Sequence, residues 1–192
     1  MHPNLLNAFA AGLLSLALSN LAAKEEPAPV KAIAALEVER YMGRWYQVAL
    51  YPNRFQAQCV SDTTAEYRLQ NDGSVTVINR CRTSQGAFDE ATGLANAAGT
   101  VDNGALKPAQ LKVSFLPSWL RWTGIGRGDY WVIHLPSDYR YSVVSEPERR
   151  FLWILSRTPE LTAADKAEVT QVLQSFGFDL SRLQPHAHST AK

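Results

Sequence analysis

"YMGRWYQVAL", residues 41–50, alternates polar and apolar side chains from Trp45 onward, the period-two pattern of a half-buried strand. Gly43 and Trp45 open this strand shortly after a charged, proline-dotted stretch, "KEEPAPVKA" at 24–32. Outward from WYQVALYP (45–52), seven further segments repeat the pattern: 62–70, 74–83, 88–98, 110–117, 129–136, 141–147 and 151–158. Asn71-Asp72-Gly73 and Asp102-Asn103-Gly104 between them suit tight hairpins. Sequential antiparallel strands with one apolar face each leave two unpaired edges, and closing the sheet on itself removes them. About eight strands enclose room for side chains or one small ligand. The expected fold is all-β, an eight-stranded antiparallel up-and-down barrel. After Pro159 the period changes. Thr162 and Asp165 read as a capping pair, Val169, Val172, Leu173 and Phe176 recur at helical spacing, and Gly177 is the stop. One C-terminal α-helix packed outside the barrel follows.

Charge and composition bound the function. In 192 residues Lys plus Arg total 19 and Asp plus Glu 18, which excludes bulk electrostatic binding of nucleic acid. The 19% charged and 10% aromatic content is an ordinary globular mixture for one domain. Met1 to Ala23 lack any Asp, Glu, Lys or Arg, and the stretch ends in small residues, as a secretory signal does. The chain then divides into a signal peptide (1–23), a flexible spacer (24–37), the barrel domain (38–185) and a disordered tail (186–192). No cysteine lies near the cleavage site, which argues against a bacterial lipid anchor. In an oxidising compartment the two cysteines, Cys59 and Cys81, default to a disulfide, with two unpaired buried thiols as the alternative. Strand two starts and strand three ends at the open rim, so both cysteines lie there. A two-residue turn at 72–73 sets Cys81 opposite about residue 64, and Cys59 must reach back to it.

Strand ends can be assigned because successive strands reverse. With Trp45 at the bottom, the turns at 71–73, 102–104 and 137–140 lie there, and so does the end of the eighth strand at Arg157. Counting back by twos puts Leu155 and Trp153 on the inward face. Arg157 can then lie across the Trp45 indole and close the floor by cation–π stacking, worth roughly 0.5–2 kcal/mol. A separately packed Trp and an exposed Arg are the alternative.

Gly43-Arg44-Trp45, Ser137-Asp138-Tyr139 and "LWILSRTP" at 152–159 resemble, in order and spacing, the three structural signatures of lipocalins. The likeness spans residues 38–183 and is closest to the bacterial outer-membrane lipocalins and apolipoprotein D. It implies a structural floor of Gly43, Trp45, Asp138, Tyr139 and Arg157. It further implies a non-enzymatic carrier of a small hydrophobic ligand, a fatty acid or lysophospholipid. Such a carrier works in the periplasm or at the outer membrane, or is secreted, as monomer or homodimer, without a cofactor.

Alternation places the cup. Gln47 and Ala49 point inward from the first strand, Ala65, Tyr67 and Leu69 from the second, and Val75, Val77 and Asn79 from the third. Leu111, Val113 and Phe115 follow on the fifth strand, Tyr130 and Val132 on the sixth, and Trp153 on the eighth. The resemblance assigns Tyr67, Asn79, Phe115, Tyr130 and Trp153 to the lining of the pocket. A deep apolar cup with a few polar groups suits a small ligand. Catalytic candidates are poor: His134 lacks an obvious Ser or Cys partner, and His186 and His188 fall in the tail. No metal-binding set is expected. A thiol isomerase, needing a reduced inward cysteine, and a partner-binding module are the alternatives. The loop 116–128 brings Trp119, Leu120, Trp122 and Ile125 together with Arg121 and Arg127. With Arg149 and Arg150 expected at the same rim, it suits peripheral contact with a membrane surface, with a loop folded over the pocket or a dimer contact as the alternatives.

Overall fold

The computed structural model describes residues 28–116 and 126–189. Strand β1 (Leu36–Glu37) and a single helical turn α1 (Val38–Tyr41) lead into β2 (Gly43–Leu50). Strands β3 (Cys59–Leu69), β4 (Val75–Thr83) and β5 (Phe88–Ala97) form a meander. A small hairpin of β6 (Thr100–Asp102) and β7 (Ala105–Lys107) precedes β8 (Gln110–Ser114). Then come β9 (Arg127–His134), β10 (Tyr141–Ser145), β11 (Leu152–Ser156), the helix α2 (Ala163–Ser175) and β12 (Gln184–Pro185).

Eight of these strands close into the antiparallel barrel, in the order β2-β3-β4-β5-β8-β9-β10-β11 and back to β2. Trp45 pairs with Ala65 on one side of β2, and Gln47 with Leu155 on the other. The eight sequence segments correspond one for one to these strands. The β6–β7 hairpin was not legible as strands. It turns at Asn103 and Gly104, both at positive φ, and pairs Leu106 with Leu36 of β1 to cover the barrel's bottom.

The residues 28–37, expected to be a flexible spacer, are instead pinned. Val30 is buried in the outer core, and Ile33 bridges the barrel base, its N–H donating to Val132 and its C=O accepting from Ala109. Ile33 thereby satisfies a carbonyl of β9 and the N–H of Ala109 just ahead of β8.

Two cores result. One fills the barrel around Trp45, Tyr67, Val77, Val132 and Leu155. The other lies between the outer face of β9–β11 and α2, where Tyr141, Val143 and Ile154 meet Val169, Leu173 and Phe178. The helix starts as its sequence directs: Thr162 Oγ1 accepts from the Asp165 N–H at 3.1 Å and donates to its carboxylate at 2.8 Å. Arg140 reaches Asp165 at 2.7 Å and ties the β9–β10 turn to α2. Among the described residues no helix is long and apolar enough to cross a membrane.

Strand β3 keeps one register with β4 from Leu69↔Val75 to Thr64↔Arg80, then slips twice, setting Ser61 opposite Arg82 and Cys59 opposite Thr83. Asp62, at φ +56°, sits in the slip. These bulges shorten the reach of Cys59, and Cys59 and Cys81 form a disulfide with Cα atoms 5.5 Å apart. The turn is longer than the expected two residues, yet the pairing of the cysteines stands.

The C-terminal segment overturns an expectation. Residues 186–189 are a strap, not a loose tail. β2 stays paired with β3 only over Gly43–Tyr46. Above that, Gln184 and Pro185 pair with Leu50 and Ala49, the His186 N–H donates to Val48, and the Asp62 N–H donates to Ala187. The strap therefore fills the seam where β2 and β3 part.

Candidate functional site

The barrel floor is built from backbone turns and one stacked pair. Trp45 is fully buried, and its Nε1 donates to the Tyr41 carbonyl at 2.8 Å. The Arg157 guanidinium lies 3.8 Å from the indole centroid. Its two terminal nitrogens donate to the carbonyls of Arg44 and Arg40, each at 2.8 Å. Gly43, at φ +86°, lets the chain turn beside that guanidinium. Tyr139 accepts from the Glu37 N–H at 3.0 Å and carries Arg40 over its ring. Asp138 stands apart from this cluster. It is exposed and accepts two bonds of 3.1 Å from Arg140 Nη1, so it supports the helix tie.

Above the floor the interior is full. Tyr41, Tyr67 and Tyr130 converge, the Tyr130 hydroxyl 2.9 Å from Tyr41 and 2.8 Å from Tyr67, while Ser142 closes on Tyr41 at 2.9 Å. Burial pushes the Tyr41 phenol up to about 12, and raises those of Tyr67 and Tyr130 above the ordinary phenol value as well. Together with Val113 these rings leave a cavity of only about 20 Å³. The lower barrel is a packed core, with no deep cup among its described residues. Tyr41 was missed because it precedes the Gly43 turn, beyond the reach of strand alternation.

The upper interior holds a polar chain. Trp153 Nε1 donates to Gln56 Oε1 at 2.8 Å, and Asn53 Nδ2 donates to the same oxygen at 3.2 Å. Gln56 Nε2 donates onward to Gln47 Oε1 at 2.8 Å. Gln47 is 3% exposed, and its Nε2 has no partner among the described residues. A cavity of about 250 Å³ adjoins this chain, with Gln47, Leu50, Asn53, Gln56, Gln184 and His186 among its walls. Gln56 escaped the sequence reading because it lies on a short 3₁₀ turn, Arg54–Gln56, outside any strand. Its only local signal was Asn53, whose side chain caps that turn.

The remaining candidates divide. Ala65, Val77 and Val132 are buried in the inner core, and Asn79 is half-buried opposite Ala65 and Ala91. Ala49 does not point inward. An extra residue, Val48, falls between the pairs Gln47↔Leu155 and Ala49↔Ile154, so Ala49 turns out toward the helix and Leu50 replaces it opposite Trp153. Leu69 is 42% exposed at the bottom end of its strand and lines nothing. Phe115 lies past the end of β8, 45% exposed, its ring where a Cβ on Gly93 would come within 2.8 Å. That fit depends on a glycine across the sheet. Arg149 does not join the rim: it donates to Phe176 O and Ala28 O, both at 2.6 Å, while Arg150 pairs with Glu146 and Glu148. Trp119, Leu120, Arg121, Trp122 and Ile125 lie outside the described residues, as does the leader 1–23.

Catalytic chemistry finds little here. His134 bridges barrel and helix, 3.0 Å from the Tyr141 hydroxyl and 3.2 Å from Glu168. Both cysteines are in the disulfide, which removes the free thiol an isomerase requires. His186 and His188 are engaged by Thr63 and the Gln47 carbonyl.

Comparison with known proteins agrees with this architecture. The profile of the lipocalin-like domain matches residues 36–188. Temperature-induced lipocalin-1 of Arabidopsis thaliana is 36% identical over 159 residues, covering 82% of each chain. Outer membrane lipoprotein Blc of Escherichia coli is 36% identical over 157 residues, 81% of each chain, and mouse apolipoprotein D is 27% identical, covering 77% of this chain and 74% of its own. Insecticyanin of the tobacco hornworm superposes with a TM-score of 0.63 at 20% identity, over 85% of this chain and 87% of that one. The three signatures, the closed barrel with its outer helix and the family profile coincide, and the chain belongs to the lipocalin family.

Proposed function

We propose that this lipocalin binds and carries a single-chain amphiphile, a fatty acid or lysophospholipid, in the cell envelope. Membership of the family supports binding of a small hydrophobic ligand without chemical turnover. The observation that supports the finer reading is a cavity of about 250 Å³ walled by Gln47, Leu50, Asn53 and Gln56, the last of which Trp153 meets by hydrogen bond. A wall that sets Gln47, Asn53, Gln56 and Gln184 beside Leu50, Pro52 and Val60 suits a molecule with one tail and one polar end. Export rests on the uncharged segment 1–23 and on likeness to proteins named outer membrane lipoproteins. The loop 116–128, with its tryptophans and arginines, is the part of the chain expected to meet a membrane.

Native mass spectrometry of the protein purified from its own compartment, followed by lipid extraction, tests this reading. One single-chain lipid per barrel is expected. Recovery of no lipid, together with no uptake of any added single-chain lipid, would refute it.

A further inference from the structure

The inner face of β5 carries almost no side chain. Its successive inward positions are Ala91, Gly93 and Ala95, paired with Asn79, Val77 and Val75 of β4. They leave a groove down the barrel wall, stepping about 7 Å from one position to the next. Val77 on β4 and Val113 on β8 bound it on its two sides. The top of the groove is open, since Ala91 is exposed and Asn79 only half-buried. Its lower end closes at Ala95, 2% exposed, beside Tyr67 and Tyr130.

Between these two levels the groove is filled by Phe115. A Cβ on Gly93 would meet the ring atoms Cδ1 and Cε1 at 2.8 Å, so the ring rests directly on the Gly93 backbone. A glycine inside a strand marks such a close approach. Phe115 is nevertheless a loosely held filler. It is 45% exposed, and the ladders of β8 with β5 and β9 both end at Ser114, one residue before it. A ring half in water gains only part of what full burial supplies. An aliphatic chain laid along the groove would cover apolar surface that the ring leaves wet, Ala91 included.

We propose that Phe115 is a displaceable plug: its ring holds the seat of the ligand's acyl chain, and the chain enters past Ala91, Gly93 and Ala95 as the ring swings out. This rests on the lipid-carrier reading and supplies the tail's seat. It also accounts for an interior without a deep cup, because the protein fills its own groove when no chain is bound. A self-occupied seat lowers the apparent affinity by the fraction of molecules in which it stands vacant.

An aliphatic chain carries no ring current, so the exchange of occupants is visible at Gly93. The wild-type protein is titrated with lauroyl-lysophosphatidylcholine and followed by calorimetry and NMR. On saturation the Gly93 Hα signals should lose the displacement that the Phe115 ring imposes. Phe115→Ala, with folding checked by its denaturation midpoint, should bind this lipid about fivefold more tightly, because a half-buried ring no longer competes for the seat. A residue that merely lined the pocket would do the opposite, since its loss removes contact with the lipid. Gly93 signals that stay in place at saturation would overturn the proposal, and so would a folded Phe115→Ala that binds no more tightly than wild type. The wild-type titration decides the matter even if the variant does not fold. If calorimetry detects no binding, the carrier reading itself falls, whereas binding that leaves Gly93 undisturbed removes only the plug.

Discussion

Arg157 is held by the Trp45 ring on one face and by two backbone carbonyls at its edge, and each contact uses a different property of the guanidinium. Flatness gives the stacking and the fork gives two directed donors, so a lysine cannot reproduce both. Arg157→Ala is expected to lower stability by about 1–3 kcal/mol, and Trp45→Ala by about 3–5 kcal/mol, both read from urea denaturation. Arg157→Lys should recover less than half of the loss. An unchanged midpoint in Arg157→Ala would remove the floor from this account. A second prediction at this scale concerns pH. His186 has its pKa lowered below 6.5, by burial first and by His188 next. The unfolded chain therefore takes up that proton before the folded one, and stability contributed here is present above about pH 6.5 and lost as the pH falls through it. Asp62 acts in the same direction at lower pH. Burial raises its carboxyl pKa, but the Ser189 hydroxyl and amide and Arg82 outweigh burial and hold it well below the ordinary value. The protection factors of the Asp62 and His186 amides, corrected for the intrinsic pH dependence of exchange, should fall first below about pH 6.5 and again below about pH 4. Protection factors that stay constant or rise on acidification would contradict both assignments.

At the scale of elements, the strap Gln184–Ser189 and the disulfide both close the parting between β2 and the start of β3, by different means. Deleting residues 184–192 removes several edge hydrogen bonds worth about 0.5–1.5 kcal/mol each, so a loss of about 2 kcal/mol or more is expected. The double replacement Cys59→Ala with Cys81→Ala should cost roughly 3 kcal/mol if the chain-entropy account applies to this loop. Both are measurable as shifts in denaturation midpoint. The same elements mark how far the sequence could be read. Eight strands and one helix were legible because periods of two and of 3.6 residues are local properties, visible wherever a strand or helix runs unbroken. The Trp45–Arg157 pairing was legible for the same reason, since each residue lies on a strand whose parity can be counted from its turn. Ala49 was misplaced because Val48 inserts one residue and reverses parity, and alternation contains no mark of a bulge. The strap and Gln56 were missed for another reason. His188 meets Gln47 across 141 residues and Gln56 meets Trp153 across 97, and no local pattern encodes such contacts.

Across the whole molecule, the lower half of the barrel is filled, and a space of about 250 Å³ lies between β2, the 52–60 segment and the C-terminal strap. Tyr41, Tyr67 and Tyr130, linked by hydroxyl contacts of 2.8–2.9 Å, set the boundary. On the proposed carrier reading, a ligand stays above that boundary and does not descend to the floor. The most direct measurement of this claim is a fluorescence titration with a panel of single-chain lipids, run on the wild-type protein and on Trp153→Phe, with stoichiometry from native mass spectrometry. The account predicts saturable binding of one lipid per barrel with Kd below about 100 μM, roughly −5.5 kcal/mol, and a spectral response largely lost in Trp153→Phe. Failure of every lipid to bind below that concentration, or a full response that survives the loss of Trp153, would contradict it.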